Sequence, residues 1–126
     1  MNNHKDLEVW KKSIVFVKRI YETTKSFPRD EIYGLTNQLR RASVSIPSNI
    51  AEGAARKGKT EFKQYLYIAL GSLAEVETQL IISKEINYIE HEQFNTMEAD
   101  LISIRKMLLG LNKINKIKFQ LLFTHY

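Results

Sequence analysis

Apolar residues recur at alternating spacings of three and four in four successive stretches, the period of a helix that buries one side. In the first stretch Leu7, Trp10, Ile14, Val17 and Tyr21 line up. Phe27-Pro28 closes it, because the residue before a proline is pushed out of the helical region. Asp30 serves as N-cap for a second stripe of Ile32, Leu35, Leu39, Ala42, Ile46, Asn49 and Gly53, which ends between Gly53 and Gly58. Thr60 and Glu61 open the third, made of Phe62, Tyr65, Ala69, Leu73, Val76, Leu80 and Ser83, and Asn87-Tyr88 reads as the turn after it. The fourth is Phe94, Met97, Leu101, Ile104, Leu108 and Leu111, extended by Ile114, Ile117 and Leu121. The expected architecture is all-α: one domain over residues 1–126, an antiparallel up-down four-helix bundle crossing at ~20°. Its helices should span roughly residues 5–26, 31–56, 60–87 and 90–118.

Two positions look costly within this pattern. Pro47 falls inside the second helix, where it deletes a backbone hydrogen bond and crowds the carbonyl of Ser43. The stripe keeps phase through it, which predicts a kinked continuous helix whose freed groups are satisfied by Ser43, Ser45 and Ser48, with Asn49 in the same buried network. The alternative is a break, with Asn49 and Glu52 forming a capping box for a restarted helix. Gly71 costs ~1 kcal/mol relative to alanine; beside Ala69, Ser72 and Ala74 it suggests a tight helix crossing within the bundle. Further apolar residues lie off the stripes: Val9, Val15, Phe16 and Ile20 on the first helix, Leu66 and Leu70 on the third. A second apolar stripe on two helices predicts an oligomer interface, with another copy of the chain as the economical partner.

The chain has no cysteine, which excludes disulfides, thiolate catalysis and sulfur-ligated metal. Its first ten residues alternate charges and do not form a signal peptide. The longest charge-free stretch, residues 64–74, falls far short of the ~20 apolar residues of a membrane span. A cytoplasmic location without membrane partners is the expectation. The net charge of +5 conceals a stronger segregation: residues 1–63 carry 13 basic and 7 acidic groups, residues 64–100 carry 1 and 7, and residues 101–126 carry 5 and none. Local balances of +6, −6 and +5 produce fields able to attract phosphate or to hold opposed surfaces together.

The second and third helices carry a resemblance. YGLTNQLRRASVSIPSNIAEG (residues 33–53) closely resembles the signature of the four-helix-bundle proteins named for intervening sequences in 23S ribosomal RNA. LEVWK (7–11), YETT (21–24) and Phe27-Pro28 are similar to that family's first helix; Glu61-Phe62, YLYIALGS (65–72) and EVETQL (75–80) are similar to its third. The likeness covers residues 7–110, and the stretch after Gly110 departs from it. It implies an antiparallel bundle assembling as a ring-like homopentamer. The family also resembles the accessory protein of diversity-generating retroelements, a basic bundle that binds nucleic acid and a reverse transcriptase. RNA or DNA, and a protein such as a reverse transcriptase, are therefore the implied partners.

Candidate chemistry is electrostatic. Arg56, Lys57 and Lys59, followed by Lys63, form the best phosphate-binding group, with Arg40 and Arg41 as a second. The competing reading pairs Arg40 or Arg41 with Glu52, Glu75 or Glu77, or uses them at a subunit interface. Lys113, Lys116 and Lys118 with Arg105 and Lys106 form a weaker cluster, and no aromatic strand platform for bases is present. His4, His91 and His125 are scattered, and none has a histidine or carboxylate at i, i+4 together with the supporting ligands of a helical metal site. No nucleophile has a plausible base and no glycine-rich phosphate loop occurs, so no catalytic residue, metal or cofactor is expected. A protein-interaction scaffold is the alternative function, and a ribonuclease a more distant one.

Overall fold

A computed structural model describes residues 3–123. A short 3₁₀ turn (His4–Asp6) leads into α1 (Glu8–Thr24), and a second (Arg29–Tyr33) leads into α2 (Leu35–Ala55). Then follow α3 (Lys59–Glu85), α4 (His91–Asn112) and α5 (Lys116–Phe123). Among the described residues there is no strand. The first four helices pack in a square, each antiparallel to its neighbours. Between α1 and α4, Arg19 meets Asp100 at 2.8 Å and Thr23 meets Met97 at 3.8 Å, so numbers rise on one helix as they fall on the other. Ser45 faces Ser72 between α2 and α3, while Glu77 faces Arg105 and Lys63 faces Asn112 between α3 and α4.

The joints have local causes. After α3, Asn87 adopts φ 65°, the left-handed conformation that asparagine tolerates. Its N–H reaches the Lys84 carbonyl at 3.0 Å and the Tyr88 N–H reaches Ser83 at 2.8 Å, a Schellman ending that uses two otherwise orphaned carbonyls. Glu90 and Gln93 then form a reciprocal capping box at the start of α4. Before α2 the expected Asp30 cap is absent. Instead the Glu31 carboxylate accepts the Leu35 N–H at 3.2 Å and the Tyr88 hydroxyl at 2.8 Å, tying both joints at this end together.

The chain does not stop at four helices. The expected fourth helix to residue 118 ends at Asn112, and Asn115 restarts the chain by accepting the Lys118 N–H at 2.8 Å. The short α5 folds back so that Phe119 and Phe123 pack on Phe62 with ring centroids 5.4 and 5.2 Å away. Ile114 is buried, but Ile117 and Leu121 are 70% and 74% exposed, contrary to the extended stripe.

The α3 and α4 stripes are otherwise as expected, apart from half-buried Tyr65 and Leu111. In α2, Leu39, Ala42, Ile46 and Gly53 are buried as expected, joined by Thr36, Ser43, Pro47 and Ile50, while Ile32 lies exposed on the preceding turn. The α1 stripe is out of phase. Its buried side holds Val9, Ser13, Phe16, Ile20 and Thr24, while Ile14 and Tyr21 are exposed. Consequently Val9, Phe16, Ile20 and Leu66 are core residues, not the oligomer interface they were expected to form. Leu70 is half-buried against the same core, and of that group only Val15, 53% exposed, faces outward.

Helix α2 runs without interruption through a buried Pro47, which excludes the restarted helix. Its polar residues serve different ends from those expected. The Ser43 hydroxyl donates to the Arg40 carbonyl at 2.9 Å, Ser48 is exposed, and Glu52 pairs with Arg56. Asn49 does join Ser45, through its amide to the Ser45 carbonyl and hydroxyl, and the Ser45 hydroxyl continues to Ser72 at 2.7 Å. The close helix crossing lies at Gly53, not Gly71. A Cβ on Gly53 would sit 2.8 Å from the Tyr65 Cβ, whereas one on Gly71 would meet nothing within 4 Å.

Candidate nucleic-acid interface

Up-down topology decides which charges become neighbours. Arg56 follows the last turn of α2, Lys57 lies in the joint, and Lys59 and Lys63 occupy the first turns of α3. The fold-back of α5 onto Phe62, with the Asn112 amide donating to the Lys63 carbonyl at 3.3 Å, brings Lys113, Lys116 and Lys118 to this same end. Two lysine groups some fifty positions apart thereby share one end of the bundle. Sequence reasoning treated them separately, because their meeting depends on a break at Lys113 that apolar periodicity does not report. The Asn115 cap was the available signal.

Within this end Arg56 is held in place. It contacts Glu52 at 3.3 Å and the Tyr65 hydroxyl at 2.7 Å, and its guanidinium lies 5.1 Å from the Tyr65 ring centre. Lys57, Lys113, Lys116 and Lys118 are exposed, and Lys59 and Lys63 half-buried. None of these six side chains forms an ion pair among the described residues. Flexible ammonium groups on a rigid base, flanked by one oriented arginine, suit the spaced charges of a phosphate backbone.

Arg40 and Arg41 lie elsewhere. Sixteen residues of helical rise separate Arg40 from Arg56, ~24 Å, so the two basic groups do not form one surface. Arg40 makes none of the expected pairs with Glu52, Glu75 or Glu77. Its Nε donates to the Thr24 hydroxyl at 2.9 Å and its guanidinium stacks 4.7 Å from the Tyr21 ring centre. Arg41 is exposed and unpaired among the described residues. In the weaker cluster Arg105 is committed to Glu77 at 3.1 Å.

Among the described residues no three His, Cys, Asp or Glu side chains gather as a metal site; His4 packs edge-on against Trp10, and His125 lies outside the described residues. The outer side of α3 exposes Tyr67, Ile68, Gly71, Ala74, Ile81 and Ile82 in one band, with exposed Glu75 and Thr78 among them. By length and composition α3 is long and apolar enough to cross a membrane, with mean hydropathy 1.2 over 18 residues. Its packing against α2 and α4 accounts for the inner part of that apolarity, and this band is the remainder.

No curated protein matches the chain. Among solved structures it is similar to a protein of unknown function from the S23 ribosomal protein family of Bacteroides thetaiotaomicron. The two share 28% identity with a TM-score of 0.75, over 84% of this chain and 99% of that one. The family model of the 23S rRNA-intervening sequence protein matches residues 5–110, which takes in α1 to α3 and nearly all of α4 and leaves α5 outside. With that model spanning most of its length, the chain belongs to the 23S rRNA-intervening sequence protein family.

Proposed function

We propose that this protein is a non-catalytic, self-associating bundle that holds RNA or DNA through phosphate contacts at its basic end. The observation that carries this reading is the convergence of residues 56–63 and 113–118 on one end, with six lysines that pair with no carboxylate among the described residues. Such contacts are independent of sequence and release counterions, so log affinity should fall linearly with log salt, by ~0.9 per phosphate neutralised on duplex DNA. Replacing Lys57, Lys59 and Lys63 with glutamine flattens that slope, and so does replacing Lys113, Lys116 and Lys118. An unchanged slope in both triple variants removes the basic end from the interface.

Self-association draws on the outer band of α3. Tyr67, Ile68, Ile81 and Ile82 offer apolar area, and the open space above Gly71 lets a second helix approach closely. Repetition of the basic end by symmetry multiplies a small charge per chain into a larger surface. Light scattering of the Ile68→Lys/Ile82→Lys double variant tests this part: the mass should fall to that of one chain. The same band favours a second reading, a scaffold for another polypeptide, which is supported if a recovered protein complex survives nuclease and high salt.

A further inference from the structure

At the opposite end of the bundle, the joint between α1 and α2 contains a cavity of about 490 Å³. That lies within the ~300–1,000 Å³ range of small-molecule sites. Lys25, Arg29 and Arg40 line it, and no carboxylate does. The rest of its wall is the pair Thr24 and Thr36 and an apolar ledge of Phe27, Pro28 and Ile32.

Two of these side chains are prepared for something absent from the chain itself. Thr36 is 3% exposed, and its hydroxyl makes no hydrogen bond among the described residues. The only fully buried side-chain nitrogen or oxygen without a partner among them is Gln79 Oε1, so the Thr36 hydroxyl opens to solvent at the cavity wall, where it can meet a ligand. Thr24, equally buried, is paired within the chain: its hydroxyl donates to the Ile20 carbonyl at 2.7 Å and accepts from Arg40. Arg40 is the second prepared group. Its Nε bond to Thr24 and its stacking on Tyr21 fix the guanidinium plane, while its two terminal nitrogens have no partner among the described residues. A fork oriented in advance loses little freedom on binding an anion. The carboxylate of neighbouring Glu31 does not compete, being engaged by the Leu35 N–H and by Tyr88.

We propose that this cavity binds a phosphomonoester dianion carried on a flat apolar body: a nucleoside 5′-phosphate, either free or at the end of a strand. Arg40 takes two phosphate oxygens through its fork, and Thr36 donates to a third. Lys25 and Arg29 balance the remaining charge, and the base rests on Phe27, Pro28 and Ile32. Against three cations and a hydroxyl, a carboxylate brings two oxygens and one charge, whereas a phosphomonoester brings three terminal oxygens and nearly two charges. The site is separate from the lysine-rich end and does not depend on it.

The test combines calorimetry with amide chemical-shift mapping, using AMP, adenosine, and one oligonucleotide with and without a 5′-phosphate. AMP should shift amides within residues 24–40 and adenosine should not. Thr36→Val, nearly isosteric, and Lys25→Gln, at an exposed position, keep the fold by circular dichroism. Thr36→Val should weaken AMP by about tenfold or more, the scale of one hydrogen bond to a charged group, and Lys25→Gln by a few-fold. AMP binding by the K57Q/K59Q/K63Q protein should equal that of the natural sequence, so failure at one end is distinct from failure at the other. Response to AMP alone identifies a free nucleotide; response to the phosphorylated strand identifies a strand terminus. The proposal is overturned if neither binds, if adenosine acts as AMP does, or if Thr36→Val binds as tightly as the natural protein.

Discussion

Alanine at Gly53 and alanine at Gly71 should change stability in opposite directions. Gly71 lies mid-helix and Gly53 in the last turn of α2, so alanine gains ~1 kcal/mol of helix propensity at Gly71 and no more than that at Gly53. At Gly71 the new methyl meets nothing within 4 Å and the gain is realised in full. At Gly53 it arrives 2.8 Å from the Tyr65 Cβ, 3.2 Å from the Phe62 carbonyl oxygen and 3.4 Å from the Phe62 ring. Carbon atoms in contact sit ~3.5–4.0 Å apart, so α2 and α3 must separate by nearly 1 Å. The obstructing atoms are a Cβ and a backbone oxygen, not the tip of a flexible chain, and overpacking of this kind costs ~1–3 kcal/mol. Because the propensity gain at Gly53 does not exceed that at Gly71, the two variants differ by at least the overpacking penalty, ~1–3 kcal/mol, or ~4–12 °C in melting temperature for a chain of this size. Urea and thermal melts followed by circular dichroism measure it, at one protein concentration because association would make melting concentration-dependent. Equal stabilities, or a Gly53→Ala protein that outlasts Gly71→Ala, would refute the close crossing.

Phe62→Ala should cost ~3–5 kcal/mol, since this ring is fully buried between the bundle and α5. Phe119→Ala should cost less, because α5 can detach by itself, and limited proteolysis should then cut between Asn112 and Lys116. The hydroxyl of Tyr88 donates to Glu31, and that bond, with burial and the charges of Glu31 and Asp30, raises its pKa above the ordinary 10.0. Below that pH folded and unfolded chains both keep the proton and the contribution is whole. Above it the unfolded chain releases the proton first, so stability declines as pH climbs toward the folded value. Tyr88→Phe should lose that part of the alkaline decline, and an identical pH profile in the variant would count against the bond.

The number and order of the first four helices were legible in the sequence because α3 and α4 present one clean stripe each. The buried face of α1 was not, and the reason is chemical. Ser13 and Thr24 lie on its buried side with their hydroxyls turned onto the Trp10 and Ile20 carbonyls at 2.7 Å, so polar letters occupy core positions. Ile14, Val15, Phe16 and Val17 meanwhile give apolar choices on every side, and the periodic count selected the wrong one. Of the candidate site, Arg56 and Lys57, Lys59 and Lys63 were visible as a local run of charge. Their union with Lys113, Lys116 and Lys118 was not, because it arises from a fold-back. The cavity at the α1–α2 joint was equally hidden: it requires Thr36, an unremarkable letter in a signature motif, to be buried beside an arginine from the next turn.

Apolar seams between helices tolerate sliding by one turn, ~5.4 Å, since aliphatic side chains meet one another about equally well at either offset. The hydroxyl pair Ser45–Ser72 does not tolerate it, and neither does the notch where Gly53 admits Tyr65. Together they act as a pin and a keyway between α2 and α3. A slip in either direction would part the half-buried Ser45 hydroxyl from the buried Ser72 hydroxyl and drive a Cβ into backbone. The vertical alignment of the whole bundle is thus indexed at one seam, and the lysines of one joint are kept level with those of the tail that folds back beside them.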